Sequence, residues 1–245
     1  MPEIKTHYTP PDQKDIINTA FNSCTERKTH EEIKDSVDSV VMNAHDQVER
    51  MFFNQQNKAG IAAIREYFQE NIDSEIEQKA AVLSYAANQF EKLDNFFLSL
   101  AQARKSRAGK TFETIIRLLF EKLEIPHSYQ PVVNGRPDFI VPGKEEYFRA
   151  PQDTIVVTAK RTVRERWRQI TTEGARGYRF FLATIDNKIS ETTLNEMAQN
   201  QVTLIIPQAI IDEKKAYQNH SIVKNYKDLF DSHIPHSLES FGLLE

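Results

Sequence analysis

Cysteine is nearly absent from this sequence, and long apolar runs are absent altogether. Cys24 is the single cysteine among 245 residues, which excludes an internal disulfide and a cysteine-rich zinc site and fits a reducing compartment. No apolar run approaches the roughly 18 to 20 residues that a membrane span requires. The first residues also lack the apolar core of a signal peptide. We therefore expect a soluble, cytoplasmic protein without membrane contacts.

Neither sign of charge dominates the composition. The chain has 31 lysine and arginine residues against 35 aspartate and glutamate residues, for a formal net charge of −4. The overall charge therefore gives no sign of nucleic-acid binding, and any such surface must be a local cluster of basic residues. With 40% hydrophobic and 27% charged residues, the composition is that of a globular protein that buries a full core.

Helix-breaking residues are rare in the first part of the chain. No proline lies between Pro11 and Pro126, and Gly60 is the only glycine before Ser106. A segment without breakers predicts helices joined by short polar turns. We expect these helices at about 11–24, 30–53, 57–72 and 76–105, followed by a turn near Gly109 and a strongly amphipathic helix.

The remaining sequence contains six of the seven glycines and seven of the ten prolines. Short apolar, β-branched runs between them predict strands at about 128–133, 137–141, 154–160, 178–185 and 202–207. A polar loop follows the second strand, and helices are predicted at about 164–172, 190–199 and 219–232. This order indicates an α/β fold in which helices flank a central mixed β-sheet. We expect an N-terminal helical region over 1–103 and a core with a C-terminal helix over 104–245.

Charged residues stand at the ends of two apolar strands. Asp138 opens the strand PDFIV, Lys160 closes the strand IVVTAK, and Glu173 lies near the end of the helix that follows. Two carboxylates suit a hard cation such as Mg²⁺. A lysine beside them could orient or deprotonate an attacking water, or offset charge on a pentavalent phosphate. The combination predicts a site for phosphodiester hydrolysis, although each residue alone has a structural explanation in turn chemistry or in the protection of a sheet edge.

The segment 161–179 is rich in arginine and lacks lysine, which favours bidentate recognition. Arg164, Glu165 and Arg166 stand at the start of a predicted helix that could enter a major groove. There arginine donates to guanine and glutamate accepts from cytosine, so the triplet is suited to reading G·C pairs. Arg168, on the same helix, is expected to contact the DNA backbone. A surface helix with internal ion pairs is the alternative interpretation.

A second basic cluster precedes the amphipathic helix and predicts contacts with DNA phosphates. It consists of Arg104, Lys105, Arg107 and Lys110. Glu113 lies on the helix itself, at a spacing that lets it point along the buried edge toward the cleft. It is a candidate third catalytic acid, acting directly or through water, and a helix-face salt bridge is the alternative.

These motifs resemble a known family. PDFIV, VTAK, RERWRQ and Glu173 are similar to the PD-(D/E)XK nuclease fold, and more narrowly to the EcoRII, SsoII and PspGI group of type II restriction endonucleases. The resemblance covers about residues 104–206. The wider fold places an acid two residues before the lysine, where this sequence has Thr158. The resemblance implies that Glu173 replaces that acid from the following helix.

The resemblance also implies a homodimeric, Mg²⁺-dependent enzyme that cleaves double-stranded DNA at sites of the CCNGG or CCWGG type and leaves 5′-phosphates. Arg164, Glu165 and Arg166 would read the CC:GG half-site. The helical region would supply dimer contacts and part of the DNA clamp. A cognate DNA methyltransferase would protect the host site.

Several members of this group flip the central nucleotides into a pocket made by an arginine and an aromatic or apolar side chain. Two sets of residues are candidates here: Arg50 with Phe52 and Phe53, or Arg65 with Tyr67 and Phe68. Two alternative functions also stay open. The chain could be another PD-(D/E)XK nuclease that acts in repair or junction resolution, or a non-catalytic DNA-binding protein.

Overall fold

The computed structural model describes residues 3–71, 79–133, 135–163 and 179–244. After a single 3₁₀ turn at Ile4–His7, the first half of the chain is helical. Its helices are α1 (Gln13–Thr25), α2 (His30–Asp35), α3 (Val37–Asn71), α4 (Lys79–Asn88) and α5 (Phe90–Lys122). The expected N-terminal helical region is therefore present.

Local capping sets the starts of the first two helices. The Asp12 carboxylate accepts hydrogen bonds from the backbone N–H groups at the start of α1. Thr29 and Glu32 form a reciprocal capping box at the start of α2. Both arrangements satisfy N–H groups that a helix leaves open at its first turn.

Two predicted helix breaks are wrong. The polar residues between the predicted helices 30–53 and 57–72 lie inside α3, and Gly109 lies inside α5 instead of in a turn. Asparagine and glutamine weaken a helix little, and an interior glycine costs only about 1 kcal/mol relative to alanine. Burial of neighbours such as Ala108 and Phe112 offsets that cost. As a result, α5 also runs across the predicted boundary at 103–104.

A six-stranded mixed sheet forms the centre of the fold. Its strands are β1 (Ser128–Tyr129), β2 (Phe139–Val141), β3 (Ile155–Ala159), β4 (Arg179–Ala183), β5 (Val202–Ile205) and β6 (Val223–Lys224). They lie side by side in chain order. The β1–β2 and β2–β3 pairs are antiparallel, and the remaining pairs are parallel. The predicted mixed sheet is confirmed.

The two faces of the sheet pack against different helices, because successive side chains of a strand point to opposite faces. Phe139 and Val141 join a buried cluster with residues of α1, α3 and α5. Ile140 and Val156 join the cluster on the other face. The helix α5 is thereby held against the sheet beside the start of β2.

The second half differs from the prediction in several short elements. The helix α6 (Lys144–Arg149) replaces part of the predicted polar loop, because Lys-Glu-Glu-Tyr-Phe-Arg contains several good helix formers. The strand β6 lies within the predicted helix 219–232, since two residues are too few to show a pattern. The other helices are α7 (Glu191–Gln199), α8 (Gln208–Asp212), α9 (Lys215–Gln218), α10 (Tyr226–Asp228) and α11 (Ile234–Ser240), with a π-helical turn at Leu229–His233.

The predicted helix at 164–172 lies outside the described ranges. Among the helices that are described, none is both long enough and apolar enough to cross a membrane.

Candidate active site

Asp138 and Lys160 form an ion pair at the edge between β2 and β3. One carboxylate oxygen of Asp138, Oδ2, accepts from the Lys160 ammonium at 2.9 Å and from the Ala159 backbone N–H at 2.8 Å. The Asp138 side chain is 9% exposed and that of Lys160 is 30% exposed. The backbone of Lys160 is itself held, because its N–H donates to the Ala183 carbonyl of β4. The pair is therefore fixed by the sheet.

Burial raises the pKa of the Asp138 carboxyl, and the nearby Glu113 carboxylate raises it further. The Lys160 ammonium and the Ala159 hydrogen bond oppose that shift but do not cancel it. The ionised form of Asp138 is therefore held at a cost in free energy. A cation beside this carboxylate would reduce that cost.

Glu113 lies on α5 and faces the same region. Its Oε1 atom accepts from the Tyr129 hydroxyl at 2.7 Å and from the Gln130 side-chain amide at 2.7 Å. The helix-face salt bridge described on α5 joins Arg117 and Glu121 at 3.4 Å, and it does not involve Glu113. Glu113 thus has two neutral hydrogen-bond donors in place of the ion pair that was the alternative interpretation.

A cleft connects these groups with basic residues. Lys105, Gly109 and Glu113 of α5 line one side, and Lys160 and Arg161 line the other. One carboxylate, two ammonium groups and a guanidinium therefore meet at one opening, and a second carboxylate, that of Asp138, is bonded to the Lys160 ammonium there. This arrangement can hold a hard cation and attract a phosphate at the same place.

The predicted phosphate-contacting cluster lies along α5 next to this cleft. Lys105 and Lys110 are exposed. The Arg104 guanidinium donates to the Gln56 side chain at 3.3 Å. The Arg107 guanidinium stacks over the Phe52 ring at 4.7 Å. The two arginines therefore tie α5 to α3, and the two lysines are the freer cations of the four.

The two candidate sets for a flipped-base pocket have different surroundings. Phe53 is 56% exposed, and Arg50 on the same helix is also exposed. Tyr67 is 1% exposed and packs with Phe96 in a small buried cluster that Phe68 adjoins. An aromatic side chain that is free to receive a base is therefore found in the first set.

Several predicted site residues lie outside the described ranges. They are the base-reading residues Arg164, Glu165 and Arg166, the backbone contact Arg168, and the relocated acid Glu173. Their predicted roles stay predictions. At the position where the wider fold carries an acid, Thr158 is present and buried.

Neither Tyr129 nor Gln130, the two residues that contact Glu113, was predicted as a site residue from the sequence. Both fall within the segment 128–133 that was predicted as a strand, whereas β1 ends at Tyr129. Gln130 has a φ of +47°, which turns its side chain away from the strand pattern. A glutamine at that φ carries no sequence signal, since glycine and asparagine are the usual residues there.

The fold and the charged cleft define a class of protein, the α/β proteins with a PD-(D/E)XK restriction-endonuclease-like fold. Among solved structures, metal-depleted Ecl18kI in complex with uncleaved DNA has a TM-score of 0.81 and 24% identity, over 98% of this chain and 83% of that one. A PspGI–substrate DNA complex has a TM-score of 0.67 and 20% identity, over 94% of each chain. At these identities the likeness shows the fold alone, and it confirms the expected fold class.

The family follows from the sequence. The family model described as EcoRII C terminal matches residues 45–227, and this chain belongs to that family. The type II restriction enzyme SsoII of Shigella sonnei is 33% identical over 147 residues, which is 55% of this chain and 48% of SsoII. The type II restriction enzyme EcoRII of Escherichia coli is 30% identical over 138 residues, which is 53% of this chain and 34% of EcoRII. The matches thus span about half of SsoII and a third of EcoRII, and the expected group is confirmed.

Proposed function

We propose that this protein is a type II restriction endonuclease, a metal-dependent enzyme that hydrolyses double-stranded DNA at a short palindromic site. One observation carries the proposal. A buried carboxylate, Asp138, is paired with a partly exposed lysine, Lys160, and this lysine lines a cleft together with Glu113. Membership in the EcoRII C-terminal family supports this assignment.

The residues present fit a hard divalent cation. Asp138 and Glu113 offer carboxylate oxygens, which are the ligands that Mg²⁺ prefers. The raised pKa of Asp138 shows that its carboxylate lacks full compensation for its burial. We assign Asp138 and Glu173 as metal ligands with Glu113 assisting. When bound, Mg²⁺ would supply Lewis-acid stabilisation of the phosphate and a more acidic water.

The protein's own groups have separate roles in this proposal. Asp138 holds the ammonium of Lys160 through the 2.9 Å hydrogen bond, so that the group is placed before DNA binds. Lys160 positions a water for in-line attack and stabilises charge on the phosphate oxygens. The expected products carry 5′-phosphate and 3′-hydroxyl ends.

Base reading is assigned to the residues that follow the lysine. Arg164, Glu165 and Arg166 read a CC:GG half-site, in a target of the CCNGG or CCWGG type. The position of Val163 supports this assignment. Its backbone N–H donates to Asp186 at 2.9 Å, which anchors the chain just before the triplet and three residues after Lys160.

Phosphate contacts are assigned to α5 and to Arg168. On α5, Lys105 and Lys110 are exposed beside the cleft and can reach DNA phosphates without breaking a described contact. Arg104 and Arg107 would bind phosphates from the positions in which they pack on α3.

For nucleotide flipping, we favour Arg50 and Phe53 over the set around Tyr67. Phe53 exposes more than half of its surface, whereas Tyr67 is buried in a cluster that a base could not enter without unpacking it. If the central bases are extruded, an enzyme that reads only the two half-sites can accept different base pairs at the centre of its target.

The simplest assembly that recognises a palindromic site is a homodimer in which each subunit cuts one strand. In this dimer, residues 1–103 would supply dimer contacts and part of the DNA clamp, and residues 104–245 would form the nuclease core, with α5 continuing from one region into the other. A cognate methyltransferase would protect the host's own sites, and the enzyme would act in the cytoplasm.

Digestion of unmodified plasmid and genomic DNA with Mg²⁺ tests the proposal. Discrete fragments, whose sequenced ends share one short palindrome, support it. Cutting only at branched or damaged DNA would favour a repair or junction-resolving nuclease. Duplex binding without cleavage under any divalent cation would favour a non-catalytic DNA-binding protein.

A further inference from the structure

Two hydrogen-bond donors converge on a single oxygen of Glu113. The Tyr129 hydroxyl and the Gln130 amide both donate to Oε1, each at 2.7 Å. A carboxylate oxygen that accepts two strong bonds is fixed in position, and the plane of the whole carboxylate is fixed with it. Both bonds described for this carboxylate use Oε1, and Oε2 has no described hydrogen bond in a residue that lines the cleft.

Gln130 also connects Glu113 to Asp138. While its side-chain amide holds Glu113, its backbone N–H donates to the Asp138 carbonyl at 2.8 Å. One residue therefore contacts both an acid on α5 and an acid just before β2. To make both contacts, Gln130 adopts a φ of +47°, a conformation that costs free energy in any residue with a side chain.

Tyr129 is held on two sides. Its ring packs 5.5 Å from the ring of Phe139, and the Arg117 guanidinium lies 5.1 Å from its centre. These contacts hold the ring where its hydroxyl reaches the Glu113 carboxylate.

We infer that Tyr129 and Gln130 are positioning residues, which orient the Glu113 carboxylate as an oxygen ligand for the catalytic cation and set its distance from Asp138. This inference rests on the proposed function and adds the residues that prearrange its metal site. Groups that hydrogen-bond to a metal ligand commonly change metal affinity or activity by about 10-fold to 100-fold when they are removed.

Two variants remove one donor each and spare the backbone. Tyr129→Phe deletes only the hydroxyl. Gln130→Gly deletes the amide, keeps the N–H that bonds to Asp138, and relieves the positive φ because glycine adopts it readily. Tyr217→Phe is the matched control, since its hydroxyl also donates one hydrogen bond, to the Ile189 carbonyl, in the cluster on the other face of the sheet.

The test measures metal binding separately from cleavage. Mn²⁺ is titrated calorimetrically into each protein bound to duplex DNA that carries a non-hydrolysable linkage at the cleavage site. Cleavage of ordinary DNA is followed over a range of Mg²⁺ concentrations, and thermal unfolding checks that each variant is folded. We expect each site variant to bind Mn²⁺ about 10-fold more weakly and to need about 10-fold more Mg²⁺ for half-maximal cleavage. Tyr217→Phe is expected to lower only the melting temperature.

The outcomes separate this inference from the proposed function. Folded Tyr129→Phe and Gln130→Gly proteins with wild-type Mn²⁺ affinity and wild-type Mg²⁺ dependence would overturn the inference while the nuclease assignment stands. A wild-type protein that binds Mn²⁺ but cuts no DNA would overturn the proposed function alone. A wild-type protein that binds no Mn²⁺ on DNA would overturn both.

Discussion

The substitution Lys160→Ala tests the role of the ammonium group separately from the rest of the site. It removes the 2.9 Å ion pair with Asp138, but the Asp138 carboxylate keeps the 2.8 Å bond from the Ala159 N–H and so keeps its place. The transition state loses a prearranged positive charge. Loss of one such group typically lowers the rate by about 10²-fold to 10³-fold, or about 3–4 kcal/mol. DNA binding should change little, because the lysine serves the reacting phosphate more than docking.

The effect on stability should be much smaller than the effect on catalysis. Breaking a fully buried pair costs about 3–5 kcal/mol, whereas exposed pairs contribute about 0–1 kcal/mol. Since the Lys160 side chain is 30% exposed, water screens its charge, and we expect a loss near 1 kcal/mol. Single-turnover cleavage, gel-shift binding in Ca²⁺ and thermal unfolding measure the three quantities. The exposed residue Lys215, changed to alanine, is the matched control.

Wild-type cutting by the Lys160→Ala protein would refute the proposed role of the lysine. Equal losses of cleavage and of specific binding would also refute it, because the lysine would then be a docking contact and not a group that acts in the transition state.

Three further predictions concern the acid, the base-reading triplet and the flipping pocket. Because burial raises the pKa of Asp138 above its ordinary value of 3.8, wild-type stability should fall as pH rises from about that value through the raised one. Asp138→Asn should therefore be inactive yet more stable than the wild type at neutral pH, and urea unfolding at several pH values that shows no such gain would contradict this. Arg166→Ala should weaken specific binding by about 1–3 kcal/mol; a loss confined to non-specific DNA would make Arg166 a phosphate contact. Phe53→Ala should reduce the fluorescence of 2-aminopurine placed at the centre of the site, whereas the exposed control Phe148→Ala should not, and equal signals from both variants would remove Phe53 from the pocket.

Local sequence determined much of this fold. Scarcity of proline and glycine predicted the helical first half, and short β-branched runs predicted five of the strands. These patterns succeed because burial of one face imposes a period on the chain. Asp138 and Lys160 were found in the same way, since a charge that interrupts or ends an apolar run is visible without knowledge of the fold.

Tertiary structure decided how those residues meet. The sheet brings Asp138 to Ala159 and Lys160, 21 and 22 residues away along the chain. Glu113 finds its two donors 16 and 17 residues away, and one of them depends on a backbone conformation that no sequence pattern marks. Packing also explains why α3 and α5 continue where helix breaks were predicted. The free energy gained by burial is larger than the small cost of placing a single poor helix former inside a helix. A sequence displays the period of each element, but the contacts that join distant elements exist only after the chain has folded.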